Sequence, residues 1–466
     1  MSESLIANHM IDEFRWSEPE TSAYMPILDK RVRSLLAHQQ DLHRWVGCFG
    51  SPLHLIFPEI AFANGQRWLT RLRAIMEQVD VRFGMKACKS DALTMALSLS
   101  GTGMDVSSAG ELLASLRNYT PRERVSFTGP DKPDHELALC LAHDISVSID
   151  SFSELDRFIQ IQTAMMSKGK PVLRYRPPLQ INSRFGFTAD ELFHAAQKLH
   201  ASGIMIEGVA FHLSGYSSLE RVCVAKEALK ILQQLASRDI HVRSLSLGGG
   251  FLVSYLAHRP STVEPPKTWQ NKRLQGGYSY FSDSAADRQA EQILCELLSD
   301  LGCKSVIDEL NLKLIVEPGR ALTDQCGGTL MRVLGVKRTA QEMDLLILDG
   351  MSFSLSETWF SSDFLPEPFL VPQGLQAREP DKRTYVLAGR SCLESDMIRW
   401  TAVEFSIRPR PGDLIYFHNT AGYQMDSNES TFHRISVPRK VAVSFANGQL
   451  NCLLDSEVDV RSFVVA

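Results

Sequence analysis

A few short stretches of this chain carry residue types able to do chemistry. The run VRFGMKAC (81–88) places Lys86 at the tip of an apolar segment, where an amine is costly unless its charge is paired or its pKa falls. Such a lysine suits Schiff-base chemistry, although alone it reads equally as a side chain snorkelling to a rim. Gly248, Gly249 and Gly250 would let backbone N–H groups approach an anion closely; alone they are a turn. Glu317-Pro318-Gly319-Arg320 sets an acid beside a guanidinium able to fork a phosphate, unless the two side chains simply pair. His212 in FHLSG, Cys392 in GRSCLESD and Tyr423 in TAGY complete the set. The plain readings of these three are a core histidine, an inert packing thiol and a turn.

The elements that must position them follow a regular alternation. Eight apolar runs read as buried parallel strands: 81–88, 103–108, 125–129, 145–150, 172–178, 208–214, 244–250 and 312–319. Helical patterns such as SELDRFIQIQTAMM, ADELFHAAQKLH and SLERVCVAKEALKILQQLA lie between them. Eight strands with intervening helices predict an α/β fold, a (β/α)8 TIM barrel; an open doubly wound sheet usually has fewer. Barrel chemistry sits at the C-terminal strand ends, and phosphate sites recur after strands seven and eight. GGG and EPGR fall on those two strands, which favours the functional reading of both, and of Lys86 on strand one.

Beyond about residue 325 the texture changes to runs resembling antiparallel strands (GGTLMRVLGVKRT, MDLLILDG, RTYVLAG, DLIYFHN, KVAVSFANGQLNCLLD). The expected organisation is an N-terminal segment (1–57) packing with a β-rich, Greek-key-like domain (326–466), and a barrel over 58–325. The stretch 254–284 reads as an insertion after strand seven, most simply as surface decoration.

Composition narrows the function. In 466 residues, 44% hydrophobic and 22% charged, the net charge of −5 leaves no basic surface for nucleic acid. No apolar run is long enough for a bilayer, and the N-terminus lacks a signal-peptide pattern. Nine cysteines without CxxC pairs or metal-like His spacing fit a reduced cytoplasmic compartment and suggest no metal.

Taken in order, FGMKAC, MDVSSAGEL, FHLSGYS, LSLGGGF, VEPGR, GRSCLESD and GDLIYFHNTAGYQMDS resemble the fold type III pyridoxal-phosphate decarboxylases, which include ornithine, arginine and diaminopimelate decarboxylases. The resemblance runs from about residue 50 to 440. It implies pyridoxal 5'-phosphate held by Lys86, with Asp105 near the lysine and the ring, and His212 stacked on the pyridine face. It further implies a phosphate cradle of Gly248, Gly249, Gly250, Gly319, Arg320 and Tyr423, with Glu317 on the pyridine nitrogen. Cys392 matches a thiol that protonates the substrate carbon from the partner subunit, so the resemblance implies a homodimer with shared active sites.

Departures bear on the substrate, a small amino-acid-type molecule. The family's Gly-Ser after the histidine region is here Ser214-Gly215. Where diaminopimelate decarboxylases carry an arginine, this chain has Ser356 and Glu357, which counts against diaminopimelate. Asp363 lies two positions from the ornithine decarboxylases' amine-binding aspartate; it and Glu394 are the candidate substrate contacts. The tail GYQMDSNESTFH is more similar to decarboxylases of siderophore and secondary-metabolite pathways, which implies a citryl-diaminopropionate type of conjugate. Free ornithine, lysine or arginine is the alternative, and a catalytically inactive binding homologue is the alternative of another class.

Overall fold

The computed structural model describes residues 25–259, 267–271, 280–340, 343–355, 366–374, 378–445 and 450–464. Two amphipathic helices, Lys30–Ala37 and Gln39–Phe49, lead into β1 (Leu53–Ile56). The helix Pro58–Arg73 follows, opening on the proline that fits a first turn without losing a hydrogen bond. Eight parallel strands come next: β2 (Val79–Gly84), β3 (Gly103–Val106), β4 (Val125–Phe127), β5 (Ser146–Ile149), β6 (Lys170–Arg174), β7 (Ile206–Ala210), β8 (Val242–Ser246) and β9 (Lys313–Val316). They close into a barrel, with Val79 of β2 opposite Leu314 of β9. This is the barrel expected from the strand–helix alternation.

Alternation along these strands decides what lies inside. Phe127, Val147, Ile149 and Leu245 are buried in the main core. Between them Ser126, Ser146, Ser148, Ser244 and Ser246 line an internal cavity of 390 Å³. Barrels filled by layers of branched aliphatic side chains have no such space. The serines keep the interior polar, and two of them, Ser126 and Ser246, reach the carboxylates Asp105 and Glu317 at the mouth. Five of the helices after the strands start at hydroxyl caps: Ser90, Ser108, Ser151, Thr188 and Ser217 each accept the backbone N–H three residues on. Each cap satisfies an otherwise orphaned donor, worth about 1 kcal/mol, and fixes where a mouth loop ends.

The second unit is a nine-stranded sheet: β10 (Gly327–Arg338), β11 (Asp344–Leu348), β12 (Pro368–Val371), β13 (Thr384–Ala388), β14 (Met397–Glu404), β15 (Leu414–His418), β16 (Arg439–Ser444), β17 (Asn451–Leu454) and the early strand β1. β1 lies between β10, antiparallel to it, and β16. The texture of the sequence had suggested antiparallel strands; two pairings, β1 with β16 and β11 with β13, are parallel instead. Both join strands separated by long stretches of chain, and a parallel pair requires such a crossover where a hairpin cannot make one.

The 254–284 stretch is more than surface decoration. Tyr255 and Tyr280 are buried and stack at 5.3 Å, Tyr255 N–H donates to the Tyr280 carbonyl, and Ile27 N–H donates to the Tyr255 carbonyl. Apolar burial of two rings ties the insertion to the barrel wall and to the N-terminal segment. No helix among the described residues is long and apolar enough to cross a membrane.

At the end of β15, His418 is buried between Tyr416, whose hydroxyl meets Nδ1 at 3.0 Å, and Gln325, whose Oε1 meets Nε2 at 2.8 Å. Burial drives its pKa down to about 3. The folded protein therefore resists a proton that the unfolded chain accepts below about pH 6.5. Stability from this site is complete above about 6.5 and is lost as pH falls towards 3, at up to about 1.4 kcal/mol per pH unit. His418→Gln should lower the melting temperature at pH 7 yet flatten its decline between about pH 6 and 4 by one proton's worth. A melting-temperature series that declines in parallel for both proteins would refute the assignment.

Candidate active site

Residues from five strand ends and from the second unit meet over the barrel mouth. Lys86, Asp105, His212, Gly249, Gly250, Glu317, Gly319, Arg320 and Tyr423 line one cavity of 420 Å³. Gly248 stands immediately behind it: its φ is +69°, and a Cβ there would meet the Phe211 carbonyl at 2.5 Å.

Lys86 lies just beyond β2, on the single turn Met85–Ala87, with both neighbours buried and its own side chain exposed. It is therefore not a buried lysine on the strand itself. The turn carries its amine past the strand end, where water or a ligand can meet it. Asp105 on β3 is buried and accepts hydrogen bonds from Ser126 Oγ (3.0 Å) and Thr128 Oγ1 (3.3 Å). Burial first, and the nearby Glu317 carboxylate second, push its pKa up. Glu317, just past β9, accepts from Ser246 Oγ at 2.6 Å. Two carboxyl groups thus share the mouth, one held towards its neutral form.

His212, just past β7, accepts the Gly249 N–H on Nδ1 at 3.2 Å, which leaves Nε2 to carry the ring proton. Burial, then the positive charges of Lys86, Arg174 and Arg221, lower its pKa to about 3. It is a flat neutral ring at any ordinary pH. Gly249 passes so close to β9 that a Cβ would lie 2.4 Å from the Glu317 carbonyl, and Gly250 has φ +84°. Only glycine allows this path.

Arg320 Nη1 donates to the Gly422 carbonyl at 2.9 Å, and its guanidinium stands 4.8 Å from the Tyr423 ring and 4.9 Å from the Tyr280 ring. Two aromatic faces hold a planar cation in place. Tyr423 is anchored by its N–H to the Ala87 carbonyl (2.7 Å), next to Lys86, which joins the second unit to the lysine turn. A Cβ on Gly319 would come within 2.7 Å of the Tyr423 hydroxyl. Tyr280 escaped the sequence reading because its only signal was a tyrosine in a polar insertion.

Cys392 is not brought to this cavity. It is exposed in the loop between β13 and β14, with Glu394 exposed beside it. That loop is organised by buried Asp396, which accepts from Ser352 N–H and Oγ (both 2.7 Å) and from Ser391 N–H (3.0 Å). His433 stands against the thiol, with Nε2 3.1 Å from Sγ and 3.3 Å from the Cys392 N–H that donates to it. His433 lies in the quoted tail, but nothing local to the sequence joined it to Cys392, 41 residues earlier. Ser214 and Gly215 line the cavity in their reversed order. Ser356, Glu357 and Asp363 fall outside the described residues.

Comparison with known proteins identifies the family. Residues 63–324 match the pyridoxal-binding domain of the pyridoxal-dependent decarboxylases. The chain belongs to that family. Its cofactor is accordingly pyridoxal phosphate. A relative in Sinorhizobium fredii, the uncharacterised protein y4yA, is 33% identical over 92% of this chain and 96% of its own length. Diaminopimelate decarboxylase of Bacillus methanolicus is 22% identical over 86% of this chain and 89% of its own. Among solved structures, diaminopimelate decarboxylase of M. jannaschii in complex with L-lysine superposes with a TM-score of 0.72 at 18% identity, covering 91% of this chain and 93% of that one. Lysine/ornithine decarboxylase of Vibrio vulnificus with putrescine gives 0.66 at 16%, covering 89% and 99%. These likenesses speak to the fold.

The residues present fit the cofactor. A side chain at 248, 249, 250 or 319 would collide with backbone or with Tyr423, leaving a cradle that accepts only backbone amides around a ligand. An amine, a carboxylate and a neutral imidazole stand around the same cavity.

Proposed function

We propose that this decarboxylase removes the α-carboxylate of an amino-acid moiety at the 420 Å³ cavity. The observation that carries the reading is the convergence of Lys86, His212, Glu317 and the glycine loop on one space. Bound pyridoxal phosphate supplies the electron sink that accepts the bond pair as CO2 leaves. Lys86 would hold the cofactor, and its amine would be at hand to release the product. Glu317, steadied by Ser246 Oγ, would hold the pyridine nitrogen in its charged form. His212 would offer the cofactor ring an uncharged face, adding no competing cation. Arg320, Gly319, Tyr423 and the 248–250 loop would hold the phosphate, and Asp105 stands by the lysine.

Cys392 delivers the proton to the substrate carbon, with His433 orienting the thiol. Because Cys392 lies outside its own chain's cavity, this role requires a homodimer in which each β-rich unit completes the other's site. Cys392→Ala should retain the visible absorbance of bound cofactor and lose roughly 10²- to 10⁴-fold in turnover. Mixed with Lys86→Ala, it should recover about a quarter of the wild-type activity, since half the dimers would carry one intact site. Absence of recovery on mixing would exclude the shared site. Nine unpaired thiols suit a reducing compartment such as the cytoplasm.

For the substrate we favour a conjugated amino acid of the citryl-diaminopropionate type from siderophore or related biosynthesis, supported by the GYQMDSNESTFH tail. A free basic amino acid is the second reading, favoured by the lysine and putrescine held in similarly folded enzymes. Measuring CO2 release across citryl conjugates, ornithine, lysine, arginine and diaminopimelate decides between them. Release from a free amino acid alone would overturn the conjugate reading.

A further inference from the structure

Beneath the glycine loop lies a charge that the mechanism above does not use. Arg221 sits in the first turn of the helix Ser218–Ala236 and is only 1% exposed. Its guanidinium donates to three carbonyls: Nε to Leu247 (3.2 Å), Nη1 to Gly250 (3.2 Å) and Nη2 to Gly249. The guanidinium carbon stands 4.9 Å from the centre of the Phe251 ring. Among the described residues it forms an ion pair with no carboxylate; Glu220 acts on it only through space. Burial accordingly lowers its pKa to about 10, still charged at neutral pH. A buried cation without a counter-ion is expensive, so something must offset it.

The other faces of those peptide groups say where the offset lies. In a trans peptide the N–H points away from the C=O. The carbonyls of Gly249 and Gly250 are turned to Arg221, so the next amides, Gly250 N–H and Phe251 N–H, are turned the opposite way. Both residues line the cavity, and among the described residues neither amide has a hydrogen-bond acceptor. A guanidinium on each carbonyl also polarises the peptide and strengthens its N–H as a donor. A dianion in the cavity would meet two free donors backed by a fixed positive charge.

We propose that Arg221 is a positioning residue for the cofactor phosphate: it turns the Gly249 and Gly250 carbonyls away so that the amides of Gly250 and Phe251 face the phosphate, and it supplies the buried counter-charge. The proposal rests on the glycine loop being the phosphate cradle. It assigns part of the phosphate affinity to a side chain that never touches the ligand, reached from a helix outside the loop.

The test is titration of the apo-protein with pyridoxal phosphate and, separately, with pyridoxal, which lacks the phosphate, followed by visible absorbance. Wild type should prefer the phosphate ester strongly. Arg221→Met keeps the stem and removes the fork. It should weaken pyridoxal phosphate about 10- to 100-fold while pyridoxal changes by less than about threefold. Arg221→Lys retains the charge but not the fork, and should fall between. Melting of each apo-protein reports folding, and should Arg221→Met fail to fold, Arg221→Lys decides alone. A wild type that binds both compounds equally well would overturn the cradle itself. A strong wild-type preference that survives in the folded Arg221 variant would leave the cradle standing and overturn the role of Arg221, as would equal weakening of both compounds.

Discussion

Lys86→Ala should yield a folded, colourless protein whose turnover is lower by roughly 10³-fold or more. The expectation follows from the turn Met85–Ala87. Met85 and Ala87 anchor it in the core, so the Lys86 side chain can be cut back to a methyl group without opening a cavity in the protein. What disappears is the lysine amine of the cavity lining, and with it, on the proposed role, both covalent retention of the cofactor and the group that releases product. Wild type should show the visible absorbance of lysine-bound pyridoxal phosphate, and the variant should lack it even with cofactor in excess. Loss of the Lys86 positive charge should also let the His212 pKa rise from its depressed value, because that charge is second only to burial among the causes. A wild type that stays colourless with added cofactor would defeat the enzyme reading and favour an inactive binding homologue. A coloured Lys86→Ala protein would move the attachment to another amine.

Glu317→Gln is the second large effect, and it separates charge from shape. Glutamine keeps the size of the side chain and an oxygen to accept from Ser246 Oγ, so the hydrogen bond at 2.6 Å survives. It removes the carboxylate proposed to hold the pyridine nitrogen in its charged form. The cofactor should remain bound and coloured, while decarboxylation slows by about 10²- to 10³-fold, the scale of losing one preorganised electrostatic contact. The same substitution should relieve Asp105, whose raised pKa owes its second cause to the Glu317 charge. Its carboxyl should then titrate closer to the ordinary range. Turnover within about threefold of wild type would mean that the ring nitrogen takes no charge from Glu317.

Apart from Tyr423, the residues lining the candidate cavity lie in the family's pyridoxal-binding domain, whose match spans 63–324. The candidate substrate contacts Asp363 and Glu394 lie beyond it. The CO2-release screen therefore carries the most information about what this protein acts on.

How much of this was legible beforehand depends on which contacts are local. Barrel strands alternate their side chains and place polar residues at their tips, so Lys86, His212, the glycines and Glu317 announce both strand and mouth within a few residues of sequence. The strand count and the order of motifs then determine a barrel with a phosphate-binding end. The mixed sheet resisted such reading: β1 pairs with β16 across 382 intervening residues, from Ile56 to Arg439, and no local pattern records a partner that far away. The polar barrel interior was also hidden, because serines in a strand read as the solvent face until closure encloses them.

The contacts around the site that join separate elements belong to the tertiary structure alone. Tyr280 comes from a polar insertion to the face of Arg320, and His433 meets Cys392 from a different loop. In the pattern SLERVCVAKEALKILQQLA, Arg221 looks like one more solvated charge in the first turn of an amphipathic helix. Packing that helix against the barrel buries the guanidinium under the glycine loop and trades water for three carbonyls. The sequence by itself determined which chemical groups stand at the mouth, because side-chain direction along a strand is a local property. The structure decided which distant charges and rings support them, because such support depends on desolvation and proximity, which exist only once the chain has closed.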